Sequence, residues 1–209
     1  MDLGWEDSTG FANNADVANP GFSPQSFLNV LNGYAAMRRV NEQGLKFTSL
    51  LSDSGGTFST YLVVNLGSLI TDDTVIMDTT NSQWSVFNLG RTGVGGAVSE
   101  GGLSIAVNTW TIVSLECSGP GGTYVLRANG NVVLTGTASN GFFNELWLTL
   151  NPSDQGTSSG VLLQAEFASF FAVLPPEERY KVEGYLVWKF ELENSLPFDH
   201  PYRFTPPRV

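Results

Sequence analysis

Leu162 to Pro207 reads LLQAEFASFFAVLPPEERYKVEGYLVWKFELENSLPFDHPYRFTPP. Three signals meet in this stretch. Val161 to Val173 is a long apolar run of strand character, or a bent pair of strands. Pro175 and Pro176 end it, because neither can donate to a sheet ladder. A helix is expected to start there. Proline is preorganised for a first helical turn, and Glu177 and Glu178 fall at the positive end of the helix dipole. Val182, Tyr185, Leu186 and Phe190 stand at i, i+3, i+4 and i+8, which predicts one apolar face. Glu177 and Lys181 form an i,i+4 pair in the better orientation. The helix is expected to fade near Glu193-Asn194, and Pro197 prevents its return.

Working outward, the remainder reads as short strands separated by turn residues. Thr57 to Leu66 (TFSTYLVVNL) is rich in β-branched and aromatic residues and predicts a strong strand. Gly44–Leu51, Thr74–Met77, Trp84–Leu89, Leu103–Val107 and Trp110–Cys117 are further candidates. Thr123 to Thr137 holds the sharpest local signal. Asn129-Gly130 between TYVLRA and NVVLTGT predicts a two-residue hairpin, since Asn-Gly accepts the two positive φ angles of a type I′ turn. Glu145 to Leu150 alternates, with Leu146, Leu148 and Leu150 inward and Trp147 outward. Gly90 to Gly102 lacks the Gly-Lys-Ser/Thr ending of a phosphate loop and reads as a flexible connection or a glycine-softened hairpin. Residues 1 to 45 are the least regular, with one short helix expected after Ser23-Pro24 and stopped by Asn32-Gly33. Ten to twelve strands at regular spacing, with one helix near the end, predict an all-β, two-sheet antiparallel sandwich. Within one domain we expect an irregular segment over 1–45, core strands over 46–174, and a closing helix and tail over 175–209.

Composition narrows the function. The 209 residues carry 10 basic and 20 acidic side chains, a net charge of −10, and no basic patch beyond Arg38-Arg39. That excludes a nucleic-acid binder of the usual electrostatic kind. No apolar run approaches membrane-spanning length, and MDLGWEDSTG does not read as a signal peptide. Cys117 is the only cysteine and lies in a strand-like run, so it reads as a buried, inert thiol.

The closing stretch resembles a family ending. Glu166, Leu174, Glu178-Arg179, Lys181-Val182-Glu183-Gly184-Tyr185-Leu186, Trp188-Lys189, Leu196-Pro197 and His200-Pro201-Tyr202 match it in order. They resemble the laminin-G-like, concanavalin A-type jelly rolls of phage and bacterial surface proteins. Upstream, Trp5 to Gly10, Thr57 to Asn65, Asn108-Thr109-Trp110 and Asn129-Gly130 resemble other parts of that family, whereas residues 11–45 do not align. Phe190 stands where the family usually continues Lys-Trp-Gly. The resemblance implies a jelly roll with a C-terminal helix, an extended tail and no catalysis of its own. It implies a structural protein of a phage virion, such as a head decoration, fibre or tail-associated protein, assembled in the host cytoplasm. Its partners would be other virion proteins and further copies of itself. The alternative is a carbohydrate-binding receptor module whose partner is a cell-surface glycan.

The chemistry of single residues supports a non-enzyme. His200 is the only histidine, lacks a nucleophile motif nearby, and reads as packing. Glycosidases of this fold carry alternating carboxylates on one strand, but Glu166 and Glu116 each stand alone in theirs. Asp53, Asp72, Asp73 and Asp78 could offer oxygens to Ca²⁺, although turn formation explains them more simply. Trp84, Trp110, Trp147, Phe142 and Phe143 could form a glycan platform, with Trp147 the best exposed of them. An intersubunit contact is an equal reading for Trp147. No residue is assigned a catalytic, cofactor or metal role.

Overall fold

The apolar run at Thr57 becomes a strand with both faces buried in the computed structural model of the protein. The structure describes residues 24–40, 44–48, 57–68, 106–137 and 161–208. It describes the backbone alone for 16–17, 40, 48, 68, 75–79, 84–87, 91–94, 97–100 and 145–147. The strands in chain order are β1 (Asp16–Val17), β2 (Gln25–Leu31), β3 (Tyr34–Val40), β4 (Leu45–Thr48), β5 (Thr57–Ser68), β6 (Val75–Thr79) and β7 (Trp84–Phe87). They continue as β8 (Arg91–Val94), β9 (Ala97–Glu100), β10 (Trp110–Ser118), β11 (Thr123–Ala128), β12 (Asn131–Thr137), β13 (Glu145–Trp147) and β14 (Val161–Phe170). One helix, α1 (Pro176–Phe190), follows them, and a 3₁₀ turn (Glu193–Ser195) leads into the tail.

The described strands form two seven-stranded sheets, ordered β1-β4-β13-β6-β7-β8-β9 and β12-β11-β10-β5-β14-β3-β2. Every pairing between named strands is antiparallel. The protein is an all-β, two-sheet antiparallel sandwich with a C-terminal helix, as the strand pattern predicts, and of the jelly-roll kind that the resemblance implies.

The second sheet is the middle of three layers. On one face Met37, Phe58, Leu62, Val64, Leu66, Val113, Leu115, Leu126 and Leu162 meet Leu45 and Phe47 of β4. On the other, Tyr61, Val63 and Ile112 meet Leu186, Val187 and Phe190 of the helix and Leu196 of the tail. This double burial explains why the centre of β5, Tyr61 to Val64, reads as continuously apolar rather than alternating. Cys117 is fully buried on the sandwich side, and burial pushes its thiol pKa up, so it is an inert core residue.

Several local expectations are corrected. Residues 25–40 form the β2–β3 hairpin, not a helix. Asn32 (φ 45°) and Gly33 (φ 78°) are its two-residue turn, and Asn129 (φ 49°) and Gly130 (φ 78°) make the same turn between β11 and β12. Asn-Gly supplied a hairpin turn in both places, and pairing with β14 decided against the helix started by Ser23-Pro24. Of the strand expected over Leu103–Val107, residues 103–105 lie outside the described residues, and Val107 forms an isolated bridge with Leu66. The glycine-rich stretch does hold a hairpin, β8–β9.

The helix begins at Pro176 with Glu177 and Glu178 in its first turn, but it ends at Phe190, earlier than expected. Glu191 takes the left-handed conformation (φ 57°), and the Leu192 N–H closes onto the Val187 carbonyl at 2.7 Å. The buried face is Glu183, Gly184, Leu186, Val187 and Phe190. Tyr185 lies outside it, exposed. Lys181 pairs with Glu178 at 2.8 Å, not with Glu177. Ser59 of β5 fixes where the helix departs: its hydroxyl donates to the Ala172 carbonyl and accepts from the Leu174 N–H.

Candidate functional site

Five residues of the family-like closing motif, Glu183, Gly184, Trp188, His200 and Tyr202, assemble into one seam between helix and tail. The His200 ring approaches Glu183 at 3.0 Å through Nε2, and its Nδ1 accepts the Tyr202 N–H at 3.2 Å. These two bonds place the ring proton on Nε2, where it donates to the Glu183 carboxylate. Both side chains are buried, and the Tyr180 ring meets the imidazole edge-on at 4.9 Å. The Trp188 Nε1–H donates to the Tyr202 carbonyl at 2.7 Å. Gly184 lets the tail cross the helix, because a Cβ there would lie 2.7 Å from the Tyr202 Cβ. His200 is a packing residue, as expected.

A buried ion pair lies on the helix-facing side of the sheet, where Arg127 bonds Glu116 at 2.6 Å. The Tyr61 phenol pKa is pushed up by burial first and then by the Glu116 and Glu183 carboxylates. Burial pulls Arg39, inside the sandwich, down to about 9. A group in that position still carries its charge at neutral pH.

His200 and Glu183 are closed to solvent, whereas other described polar groups are open to it. One place on the outer surface combines accessible aromatic and polar groups. Tyr34 opens β3, Glu166 lies on β14 just past its bulge, and Tyr185 and Lys189 are one turn apart on the helix. The Lys189 ammonium bonds Glu166 at 2.6 Å and the Tyr185 hydroxyl at 3.1 Å. It also lies 4.9 Å from the Tyr34 ring centroid and 5.4 Å from that of Tyr185. The two tyrosines are 44% and 46% exposed. Asn32 in the hairpin turn donates to the Lys189 carbonyl at 2.9 Å, and Phe190 meets Tyr34 edge-on at 5.4 Å. These contacts fix the floor of the site to the core.

Lys189 is net raised in pKa. Burial pulls it down, but the hydrogen bonds to Glu166 and Tyr185 and the charge of Glu166 outweigh that. A base raised on folding stabilises the fold below its unfolded value of about 10.4 and loses that contribution as pH rises through the folded value. We therefore expect urea midpoints to fall between about pH 10 and pH 12 more steeply for the parent than for Lys189→Met. Equal slopes would refute the assignment.

The sequence candidates fare differently. Trp110 packs against the helix-side core and is no platform. The side chains of Trp84, Trp147, Phe142 and Phe143 lie outside the described residues. So do those of Asp53, Asp72, Asp73 and Asp78, considered for Ca²⁺. Among the described residues no group of three or more His, Cys, Asp or Glu could hold a metal ion. No described helix is long and apolar enough to cross a membrane. Glu166 was seen as a solitary carboxylate, but its partner Lys189 was not, and Tyr34 went unnoticed because no local signal links residues so far apart in sequence. A third feature is an exposed aromatic pair in the tail. Phe198 and Phe204 are 78% and 64% exposed, meet edge-on at 5.4 Å, and share the Arg203 guanidinium.

Neither a protein-family model nor a curated protein matches the chain. Solved structures do. The fourth domain of AbnA, a GH43 extracellular arabinanase from Geobacillus stearothermophilus solved with arabinotriose, matches with a TM-score of 0.61 and 18% identity. That match covers 83% of this chain and 89% of the other. Trypanosoma rangeli sialidase in complex with the inhibitor DANA matches at 0.63 and 12% identity, over 85% of this chain and 30% of the sialidase. The botulinum neurotoxin serotype C1 binding domain matches at 0.56 and 14% identity, over 94% of this chain and 52% of the other. The chain thus spans about a third of the sialidase and half of the neurotoxin domain. At these identities the likeness is one of fold, a β-sandwich.

Proposed function

We propose that the sandwich is a carbohydrate-binding module without catalysis of its own. The observation that carries this reading is the surface site where Tyr34 and Tyr185 flank the Lys189–Glu166 pair. Aromatic faces stack on the C–H faces of sugars, and a charged donor–acceptor pair bonds their hydroxyls. The arabinanase domain bound to arabinotriose and the neurotoxin binding domain solved with SialylT lend the same reading support by analogy of fold. The non-enzymatic part is supported by Glu166 and Glu116, each held by a cation and neither paired with a second carboxylate among the described residues.

A glycan array followed by calorimetry tests the reading. Tyr185→Ala is expected to weaken binding about tenfold with an unchanged melting point, because its ring is exposed and its loss costs about 1.4 kcal/mol of stacking and bonding. Binding unaffected by that substitution would move the site elsewhere.

A second reading is favoured by Phe198, Phe204 and Arg203. An exposed aromatic pair with an arginine is the composition of a protein-contact hot spot. On that reading the protein is a structural component of a phage virion, assembled in the host cytoplasm and held by neighbouring subunits or further copies of itself. Mass spectrometry of purified virions decides it: absence of the chain from the particles would end this alternative.

A further inference from the structure

We infer that the site at Tyr34, Tyr185, Lys189 and Glu166 selects neutral saccharides that present two adjacent hydroxyls, and discriminates against acidic ones. This rests on the glycan reading above and narrows it to a ligand class. An ammonium has three N–H donors, and here one serves Glu166 and one serves the Tyr185 hydroxyl. One donor remains. The Tyr185 oxygen accepts from Lys189, so its own O–H is free to donate. Glu166 binds Lys189 through Oε2, which leaves Oε1 as an acceptor. Two donors and one acceptor therefore stand within one ammonium's reach, and the two tyrosine rings flank them. Neighbouring sugar hydroxyls, each both donor and acceptor, match that set. One hydroxyl donates to Glu166 Oε1 while accepting from Tyr185, and its neighbour accepts the last Lys189 N–H.

The same groups disfavour a carboxylate. The only ammonium in the site is already neutralised by Glu166 at 2.6 Å. A sugar acid would bring a second negative charge beside that glutamate, on a chain of net charge −10. Selection thus comes from a self-compensated ion pair, which retains hydrogen-bonding capacity but offers no net charge.

The test is calorimetric titration of the full chain with three probes: a neutral hexose oligosaccharide, its fully O-methylated counterpart, and a sialylated oligosaccharide. The neutral probe is expected to bind with little change between low and high salt. The methylated and sialylated probes are each expected to bind at least about tenfold more weakly. Tyr185→Phe keeps the ring and the fold and removes one donor, so the neutral probe should lose about three- to tenfold. Lys189→Met and Glu166→Gln, taken only if their melting points hold, should lose tenfold or more by the same reasoning. Tighter, salt-sensitive binding of the sialylated probe would overturn the ligand class and leave the glycan reading standing. Unchanged affinity in Tyr185→Phe would overturn the hydroxyl-reading geometry. No binding by any probe would overturn both.

Discussion

His200→Ala is expected to lower the unfolding free energy by about 2–4 kcal/mol, the loss when a buried carboxylate is left without its hydrogen-bond donor. For a chain of this size that is a melting point lower by roughly 10 °C. The Glu183 side chain is 1% exposed, and His200 is its only hydrogen-bond partner among the described residues. Its second oxygen has no hydrogen bond, and the closest cation, Arg179 Nε, is 3.9 Å away. Removing the imidazole strands the carboxylate beside Gly130, where a Cβ would lie 3.7 Å from Glu183 Oε2. It also orphans the Tyr202 N–H. The double variant Glu183→Met/His200→Phe replaces both partners with apolar groups of similar volume and should recover to within about 1–2 kcal/mol of the parent. If the single variant costs under about 1 kcal/mol, or the double variant costs as much as it does, the pair is not what holds the tail.

Gly184 carries the second large effect. Gly184→Val is expected to cost about 2–3 kcal/mol, the upper range for overpacking a close contact. A Cβ there would lie 2.7, 2.8 and 2.9 Å from the Tyr202 Cβ, Cγ and Cδ2. The smaller change Gly184→Ala gives a sharper diagnosis. In the parent it should destabilise, although alanine favours a helix interior by about 1 kcal/mol over glycine. In a Tyr202→Gly background the Cβ, Cγ and Cδ2 that obstruct it are all gone, and the same change should stabilise by about that amount. A reversal of sign in a urea double-mutant cycle confirms the crossing. The same sign in both backgrounds would disprove it.

The legible parts of the fold were those in which local chemistry and tertiary environment agree. The β-branched and aromatic run of β5 announced a strong strand, and Asn129-Gly130 a hairpin. Pro176 with Glu177 and Glu178 announced a helix start. Asn32-Gly33 carried the same turn signal as Asn129-Gly130. Ser23-Pro24 offered a competing helix start, and only the ladder to β14 decides between them. The helix face was misjudged for a related reason. Periodicity ranks apolar residues, and the position that turns inward beside Leu186 is Glu183, whose burial depends on a histidine in the tail. Tyr185 was assigned inward on hydrophobicity and stands outward beside Lys189.

The site was the least legible part. Its four groups come from β3, β14 and the helix, and no spacing rule links Tyr34 to Lys189. The family-like motif marked Glu166 and Lys189 separately without revealing that they meet.

The place of β14 in the second sheet has a consequence for biosynthesis. β5 takes β10 along one edge and β14 along the other, with Ser59 opposite Phe170. Roughly 100 residues separate those partners, so at about 5–20 residues per second a ribosome needs on the order of 5–20 s to supply the missing edge. Throughout that interval the nascent chain carries an unpaired strand, apolar on both sides, that neither β10 nor the β11–β12 hairpin can cover. The helix that shields its outer face is translated later still. The second sheet is therefore completed only after most of its strands are made, and slower translation lengthens the time its open edge stands exposed to other chains.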